Sequence, residues 1–535
     1  MKLNKKLVAM ATAGALTALT AIPAMAFENE FHGTYTLKYY LSNYEQGGGG
    51  NPLAPTVTGG KTLVAPPAGN QTENLRLNNY FEQRARIFYT AKASDDLKLV
   101  TAFEIDSVFG DRAQGGILNG NTTSVATTST AAFRNSGGAM ESDAVNLETK
   151  WVYLQFKIPT TPTTVIAGIQ PFKDQLKGIF LDADIAGVVT STKLGNATVN
   201  AGYLRAYDES FFSSGQPVAT ANVRGNNNLD IGAAEIKYAL SKDTSLGAVY
   251  YLYADSRPFY VPSGAAGVTD TTSAAFYSKV DDAIMIHTIG LTGETKLGPV
   301  ALSGFAAYQG GVLRNVDGKN NSAYLNALAY NVAAKAAVGP GTLKTALLFT
   351  SGNGNNPGKH YTGWVGTSQS PNSTWAATTG TSSYNEGGMM LLNRNAINNN
   401  TTTDNAMIYN TSNGTNPING QGMYLYTLGY DANITPKFYT NTNVGCAWVA
   451  HTNSLKPTDK SLGGAASTAQ NASNFMGTEV NIETGYKMYD NLTARFQAAY
   501  VILGGMYKNS VQKGNLTAAD PENPYTARII LSYAF

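Results

Sequence analysis

The sequence is poor in cysteine, in charge and in long hydrophobic runs, and each shortage excludes a class of protein. Cys446 is the single cysteine among 535 residues, so neither a disulfide within the chain nor a C-x-x-C-H haem attachment is available. Charged residues make up 14% of the chain, against about 25% in ordinary soluble domains. After residue 26, no apolar run is long enough for a transmembrane helix. A membrane protein of this composition has to cross the bilayer with strands that close into a barrel.

The amino-terminal residues match a secretory signal peptide. A lysine-rich start is followed by an apolar stretch at residues 7–22 and by an A-x-A motif whose small residues are Ala24 and Ala26. We therefore expect residues 1–26 to be a signal peptide that is cleaved after Ala26, and residues 27–535 to be exported. Removing three lysines takes the formal net charge from +2 to about −1. This nearly neutral charge gives no reason to expect a nucleic-acid partner.

The remaining chain alternates apolar and polar residues with the period of two that β-strands have. Eight hairpins are predicted, with turns at residues 94–96, 159–162, 195–196, 241–243, 298–299, 339–341, 435–436 and 490–491. With a first and a last strand, these hairpins predict an all-β transmembrane antiparallel β-barrel of about 18 strands (16–18), with short periplasmic turns and long extracellular loops. An array of soluble β-sandwiches is the alternative that stays open.

Polar segments rich in Gly, Ser, Thr and Asn separate the predicted hairpins. The largest spans about residues 352–421, and its composition, which cannot build a core, predicts an extracellular loop that narrows or covers the mouth of the barrel. The segment at residues 171–180 differs because it is short and carries both charges and apolar residues. It is our candidate for a loop that folds into the pore, and a plain surface turn is the alternative.

The last ten residues alternate strictly and end on an aromatic residue. Ile529, Leu531, Tyr533 and Phe535 share one face of this predicted strand. This ending resembles the carboxy-terminal signal that the barrel assembly machinery of Gram-negative outer membranes recognises in its clients. The resemblance implies that these four residues form an assembly signal, and that the partners of the chain include this machinery and outer-membrane lipid.

If the large apolar side chains face lipid, the opposite face of each strand lines the lumen. A mid-bilayer Arg or Lys on the lipid face costs about 2 to 4 kcal/mol, so charged residues are expected to face pore water. The predicted pore-lining and constriction residues are Glu82, Arg84, Arg86, Glu104 and Asp106 on two strands, and Lys173, Asp174, Lys177, Asp182 and Asp184 on and after the candidate inner loop. For each of them the alternative is an ion pair that only braces the wall.

Neither a metal site nor catalytic machinery is predicted. The four histidines are far apart in sequence, and none forms a pair with the spacing of metal ligands. No Ser or Asp is placed beside a His in a way that indicates a hydrolase. We therefore expect no enzyme, no metal and no cofactor.

Three segments resemble a known family. They are Phe27-Glu-Asn-Glu-Phe-His-Gly-Thr-Tyr35, Tyr153-Leu-Gln-Phe-Lys-Ile-Pro159 and Val165-Ile-Ala-Gly-Ile-Gln-Pro-Phe172. They are similar to the OmpJ-type porin-like proteins found in the outer membranes of metal-reducing deltaproteobacteria. The resemblance implies a passive diffusion channel for small hydrophilic solutes or ions, in a homotrimer as in many porins. A structural sheath or partner for a multihaem cytochrome in outer-membrane electron transfer is the alternative function.

Overall fold

The predicted alternation is present as strands in a computed structural model of the chain. The structure describes residues 28–43, 56–58, 62–64, 77–109, 147–208, 228–256, 259–262, 277–280, 284–313, 323–353, 359–367, 377–378, 384–392, 422–451, 473–507, 511–513, 517–520 and 522–535. The expected signal peptide, with Ala24 and Ala26, lies outside the described residues, and so do most of the expected long loops.

Eighteen long strands form one antiparallel sheet. They are β1 (Glu28–Ser42), β2 (Asn78–Ser94), β3 (Leu97–Val108), β4 (Glu148–Lys157), β5 (Thr163–Lys173), β6 (Asp182–Leu194), β7 (Ala197–Asp208), β8 (Asn228–Ala239), β9 (Thr244–Asp255), β10 (Ile284–Leu297), β11 (Val300–Leu313), β12 (Ala323–Val338), β13 (Gly341–Thr350), β14 (Met423–Asn433), β15 (Phe438–Val449), β16 (Phe475–Tyr489), β17 (Leu492–Leu503) and β18 (Tyr525–Ala534).

Short elements lie outside these strands. The two-residue strand His360–Tyr361 runs parallel to the start of β12. Four short hairpin pairings join Thr56–Thr58 to Thr62–Val64, Phe259–Pro262 to Tyr277–Val280, Gly366–Thr367 to Ala377–Thr378, and Val511–Lys513 to Thr517–Ala519. Gly505–Tyr507 forms a 3-10 helix. Within the described ranges, no helix has the length and hydropathy needed to cross a membrane.

The sheet closes on itself because β1 pairs with both β2 and β18. Closure gives every edge strand a partner, which removes the unpaired N–H and C=O groups that an open sheet would present. The prediction of an antiparallel barrel with 18 strands is therefore confirmed.

Eight short turns join the strands at one end of the barrel, at the eight predicted positions. At two of them the backbone explains the residue type. Gly195 and Gly298 both have φ of +59°, a conformation that glycine adopts without steric cost. We call this end the short-turn end.

Side-chain exposure alternates along the strands. On β10, the odd-numbered Ile289 and Leu291 are 56% and 67% exposed, whereas the even-numbered Ile286 and Thr288 are fully buried. A barrel places large apolar residues on its outer face, where lipid covers them. The outer face is thus fixed by the exposed aliphatic and aromatic residues, and the other face of each strand points into the barrel.

The hairpin of β5 and β6 leaves the wall of the barrel. The ladder between β4 and β5 ends at Ile169, and the ladder between β6 and β7 begins at Ala186. Residues 170–185, which we call the inner ribbon, lie outside both ladders and pair with each other. The turn of the ribbon reaches the inner faces of β9 and β11. There the Gln175 N–H donates to the Tyr251 hydroxyl (2.9 Å), and Lys177 Nζ donates to Ser303 Oγ (3.0 Å).

Two further stretches pack beside the ribbon: residues 359–366, here the Trp364 segment, and residues 384–392, here the Met390 segment. The three stretches and the inner face of the barrel share one apolar core. Among its fully or almost fully buried members are Leu176, Ile179, Phe180, Trp364, Val365, Tyr384, Leu391 and Leu392. Two parts of the segment at residues 352–421, whose composition cannot build a core by itself, therefore pack into the core that the barrel and the ribbon provide. Short apolar clusters inside a long polar segment are hidden when the composition is averaged.

Candidate functional site

The inner face of β16–β18 and β1–β3 carries closely spaced charges, and we call it the charged wall. Its centre is Glu104 on β3, which binds both arginines of β2. Arg84 Nη2 lies 3.2 Å from Glu104 Oε1, and Arg86 Nε donates to Glu104 Oε2. The side chain of Arg84 is 9% exposed and that of Arg86 is 33% exposed. Arg86 is thus the more accessible cation of the pair.

The neighbouring strands extend this pattern. On β1, Lys38 Nζ lies 4.0 Å from Glu82 Oε1. The Tyr40 and Tyr80 rings stack with centroids 4.6 Å apart, and the Arg528 guanidinium lies 5.4 Å from the centre of the Tyr40 ring. These contacts are the cross-strand neighbours that a sheet provides on one face. The charged wall therefore combines cations, carboxylates and aromatic rings.

The wall continues onto β17 and β16. Arg528 Nη1 donates to Gln497 Oε1 (3.1 Å), and Gln497 Nε2 donates to Glu483. Glu483 also accepts from the Tyr439 hydroxyl (2.9 Å). Asp106, a predicted pore residue, is paired with Arg84 in the backbone register, and its side chain is outside the described part of the structure.

Asp174 is a predicted constriction residue, and it organises the turn of the inner ribbon. Its carboxylate is 3% exposed and accepts hydrogen bonds from the backbone N–H groups of Gly178 (2.9 Å), Phe180 (2.8 Å) and Leu181 (2.5 Å). Burial raises the pKa of Asp174 to about 6, although the N–H donors act in the opposite direction. Asp174 thus holds the turn together from its inside.

Lys177 joins the ribbon to the Met390 segment. Its Nζ lies 2.5 Å from Glu386 Oε2, and its backbone has the left-handed φ of +62°. Burial lowers the pKa of Lys177, while the carboxylate of Glu386 acts in the opposite direction. The Trp364 indole N–H adds a second connection, to the Trp364 segment, by donating to the Ile179 carbonyl (3.1 Å). The ribbon and the two segments are thus bound to one another by polar contacts as well as by the core.

The remaining predicted residues lie on one face of the ribbon. Lys173 Nζ lies 2.9 Å from Asp182 Oδ2. Asp184 binds β4, because its Oδ1 accepts from the Trp151 indole N–H (2.6 Å) and its Oδ2 accepts from Lys150 Nζ (2.5 Å). The structure therefore brings Asp184 to β4, whereas Lys177 and Asp174 lie in the turn of the ribbon, near β8–β11.

Two buried carboxylates on the inner face of the barrel hold the Met390 segment and the inner ribbon in place. This role was not foreseen from sequence. Glu479 on β16 is fully buried and accepts from the N–H groups of Met390 (2.7 Å), Leu391 (3.0 Å) and Leu392 (2.7 Å). Glu235 on β8 accepts from Gln175 Nε2 (2.9 Å). Strand alternation alone could show that both carboxylates point inward. Their partners lie far away in sequence and leave no local signal.

The four expected assembly-signal residues lie on the outer face of β18 and at the end of the chain. Ile529, Leu531, Tyr533 and Phe535 are 55%, 36%, 38% and 53% exposed. Tyr533 and Phe535 stack with ring centroids 5.7 Å apart. This aromatic pair lies near the short-turn end.

No protein-family model and no curated protein sequence matches the chain. Among solved structures, the chain is similar to OccK8 (OprE) of Pseudomonas aeruginosa, with 11% identity and a TM-score of 0.47 over 95% of this chain and 98% of that one. It is also similar to OccAB2 of Acinetobacter baumannii, with 11% identity and a TM-score of 0.47 over 95% and 98% of the two chains. The outer membrane protein opdK of Pseudomonas aeruginosa matches with 10% identity and a TM-score of 0.45 over 95% and 99%. Similarity this low carries no statement about solutes.

Proposed function

We propose that the protein is a passive diffusion channel of the Gram-negative outer membrane for small hydrophilic solutes or ions. The observation that carries this proposal is a closed barrel whose inner side holds both the inner ribbon and the charged wall. A lumen lined by both signs of charge favours water and small polar solutes over lipophilic ones. The inner ribbon and the two segments beside it occupy part of the lumen and so narrow the path for solute.

The export and assembly route belongs to the same proposal. A signal peptide at residues 1–26 would direct the chain across the inner membrane, and the alternating end of β18 would present the assembly signal. Many channels of this class form homotrimers, and we propose the same assembly here. We propose no catalytic role, no metal and no cofactor.

The alternative function, a sheath for a multihaem cytochrome, needs a lumen wide enough to hold a protein. The core formed by Leu176, Ile179, Phe180 and the two segments occupies part of that lumen. Displacing it would expose apolar side chains to water, at about 25 cal/mol for each Å². The diffusion channel is therefore the function that the geometry supports better.

Conductance of the refolded chain in a planar bilayer tests the proposal. Stepwise ohmic openings are expected, and openings in groups of three would support the proposed homotrimer. A correctly folded, heat-modifiable barrel that gives no openings would contradict the channel. Co-purification of haem absorbance with such a silent barrel would favour the sheath instead.

A further inference from the structure

A row of aromatic side chains crosses the inner face of β1, β2 and β4. The His32 and Phe88 rings stack with centroids 5.0 Å apart, and the Phe88 and Trp151 rings lie 5.3 Å apart. Ala102 of β3 is paired with both Phe88 and Trp151 and is fully buried. Because Ala102 is small, the two large rings meet above it and form a continuous surface. We call Phe88 and Trp151 the aromatic platform.

The platform lies on the inner face of the barrel. Phe88 shares its face of β2 with the buried Arg84 and Glu82, whereas Phe81 on the opposite face is 41% exposed. On β4, the outward residue Val152 is 39% exposed, and Trp151 is its inward neighbour. Phe88 and Trp151 are both partly exposed. An apolar surface left exposed on the inner side of a barrel is a candidate contact for solute.

Charged groups border the platform on two sides. Arg86 precedes Phe88 by two residues on the same face, about 7 Å along the strand, and its side chain is 33% exposed. Asp184 binds the Trp151 indole N–H and is 32% exposed, and Lys150 Nζ lies over one side of the Trp151 ring, 5.8 Å from its centre. Arg86 is paired with Glu104, and Asp184 is paired with Lys150. The border therefore offers hydrogen-bond donors and acceptors whose charges are already held in ion pairs within the protein.

We propose that the aromatic platform binds the flat apolar face of a neutral saccharide ring as it passes through the pore. The C–H groups of such a ring pack on Phe88 and Trp151, while its hydroxyl groups bond Arg86 on one side and Asp184 on the other. A carboxylate or an amine would compete with the existing ion pairs for the same charged groups, whereas hydroxyl groups can bond to these groups without separating the pairs. A planar aromatic solute would contact the rings but offers no hydroxyl groups to the polar border. This inference rests on the proposed channel function.

Two solutes of similar size and hydroxyl number test the platform. Glucose offers a ring face, whereas sorbitol is an open chain. Glucose is expected to interrupt the ion current in a concentration-dependent way, and sorbitol is not. Phe88→Ala or Trp151→Ala should weaken the glucose block about three- to tenfold, since an aromatic contact contributes on that scale. Trp151→Phe keeps an aromatic ring and should weaken the glucose block less than Trp151→Ala does.

A matched control removes an aromatic residue from the outer face. Phe349 packs between Tyr330 and Tyr424, with centroids 4.9 Å and 4.6 Å away, and the two tyrosines are both 38% exposed on that face. Phe349→Ala should leave the glucose block unchanged. Equal block by glucose and sorbitol would overturn the inference, and so would benzoate blocking at a lower concentration than glucose.

A binding measurement separates this inference from the channel function. Saturation-transfer NMR on the barrel refolded in detergent should show transfer to the glucose ring protons and little to sorbitol, with the signal reduced in Phe88→Ala. Ring-selective binding by a barrel that does not conduct would support the platform and contradict the channel. Conductance without ring-selective binding would contradict the platform and leave the channel.

Discussion

Gly33 and Phe535 join the first strand to the end of the chain. The Gly33 N–H donates to the Phe535 carbonyl (2.8 Å), and the Phe535 N–H donates to the Gly33 carbonyl (3.0 Å). The phenyl ring lies over Gly33, since a Cβ placed on this glycine would come within 2.4 Å of Phe535 Cζ. The same Cβ would lie 2.6 Å from the Arg86 carbonyl oxygen on the next strand. Closure of the barrel at this end therefore requires a residue without a side chain.

Gly33→Ala is expected to destabilise the barrel by about 1 to 3 kcal/mol, because overpacking a close contact has costs of this size. The refolded, heat-modifiable fraction on gels and the urea midpoint measure the effect. Gly232→Ala is the control, because a Cβ there would meet its nearest neighbour, Leu252 Cβ, at an ordinary 3.5 Å. Equal midpoints for the two variants would show that the contact with Phe535 does not matter.

The inner ribbon is expected to lose stability as the pH rises from about 4 to 6. The pKa of Asp174 is raised to about 6 from an ordinary value of 3.8, so the folded ribbon keeps a proton that the open ribbon releases. The stabilisation is complete below pH 3.8 and is lost by the time the pH passes 6, a difference of about 3 kcal/mol. Hydrogen exchange at Gly178, Phe180 and Leu181, corrected for the intrinsic rates, should speed up by about 100-fold across this range.

Asp174→Asn provides the comparison for this pH dependence. An amide cannot accept from all three N–H groups, so exchange in the turn should be faster at every pH and should lack the step between pH 4 and 6. A step of the same size in the variant would show that another group titrates.

The barrel could be predicted from sequence because its determinants are local. Exposed residues such as Leu291 alternate with buried ones such as Ile286, and the turn at Gly298 joins adjacent strands. The arrangement inside the barrel depends on contacts between distant residues. Lys177 binds Glu386 across 209 positions, and no spacing rule connects them. For the same reason the sequence indicated that residues 171–180 could fold inward, but it could not indicate what they contact.

Glu479→Gln is expected to release the Met390 segment from β16. In the native chain the two carboxylate oxygens accept the three segment N–H groups and Asn481 Nδ2. The amide nitrogen of glutamine cannot accept, so two of these donors lose their acceptor, at about 1 to 3 kcal/mol each. Channel conductance should increase, and hydrogen exchange in residues 384–392 should become faster.

Glu483→Gln serves as the matched control. Glu483 lies four residues further along the same face of β16, and it binds Tyr439 on β15 and Gln497 on β17. This variant makes the same change of charge but leaves the segment docked. If both variants raise the conductance equally, the charge and not the docking is responsible.

Arg86→Glu is expected to shift the channel toward cations. Arg86 is 33% exposed, and the substitution would leave a second carboxylate beside Glu104 on the charged wall. A unit charge about 7 Å from a passing ion in water contributes about 0.6 kcal/mol, so reversing the charge changes the local preference by about 1.2 kcal/mol, or about sevenfold. The reversal potential in a salt gradient measures this preference. Arg205→Glu is the control, because Arg205 binds Tyr203, which is 50% exposed on the outer face. A shift as large for Arg205 as for Arg86 would mean that the lumen position of Arg86 does not set the selectivity.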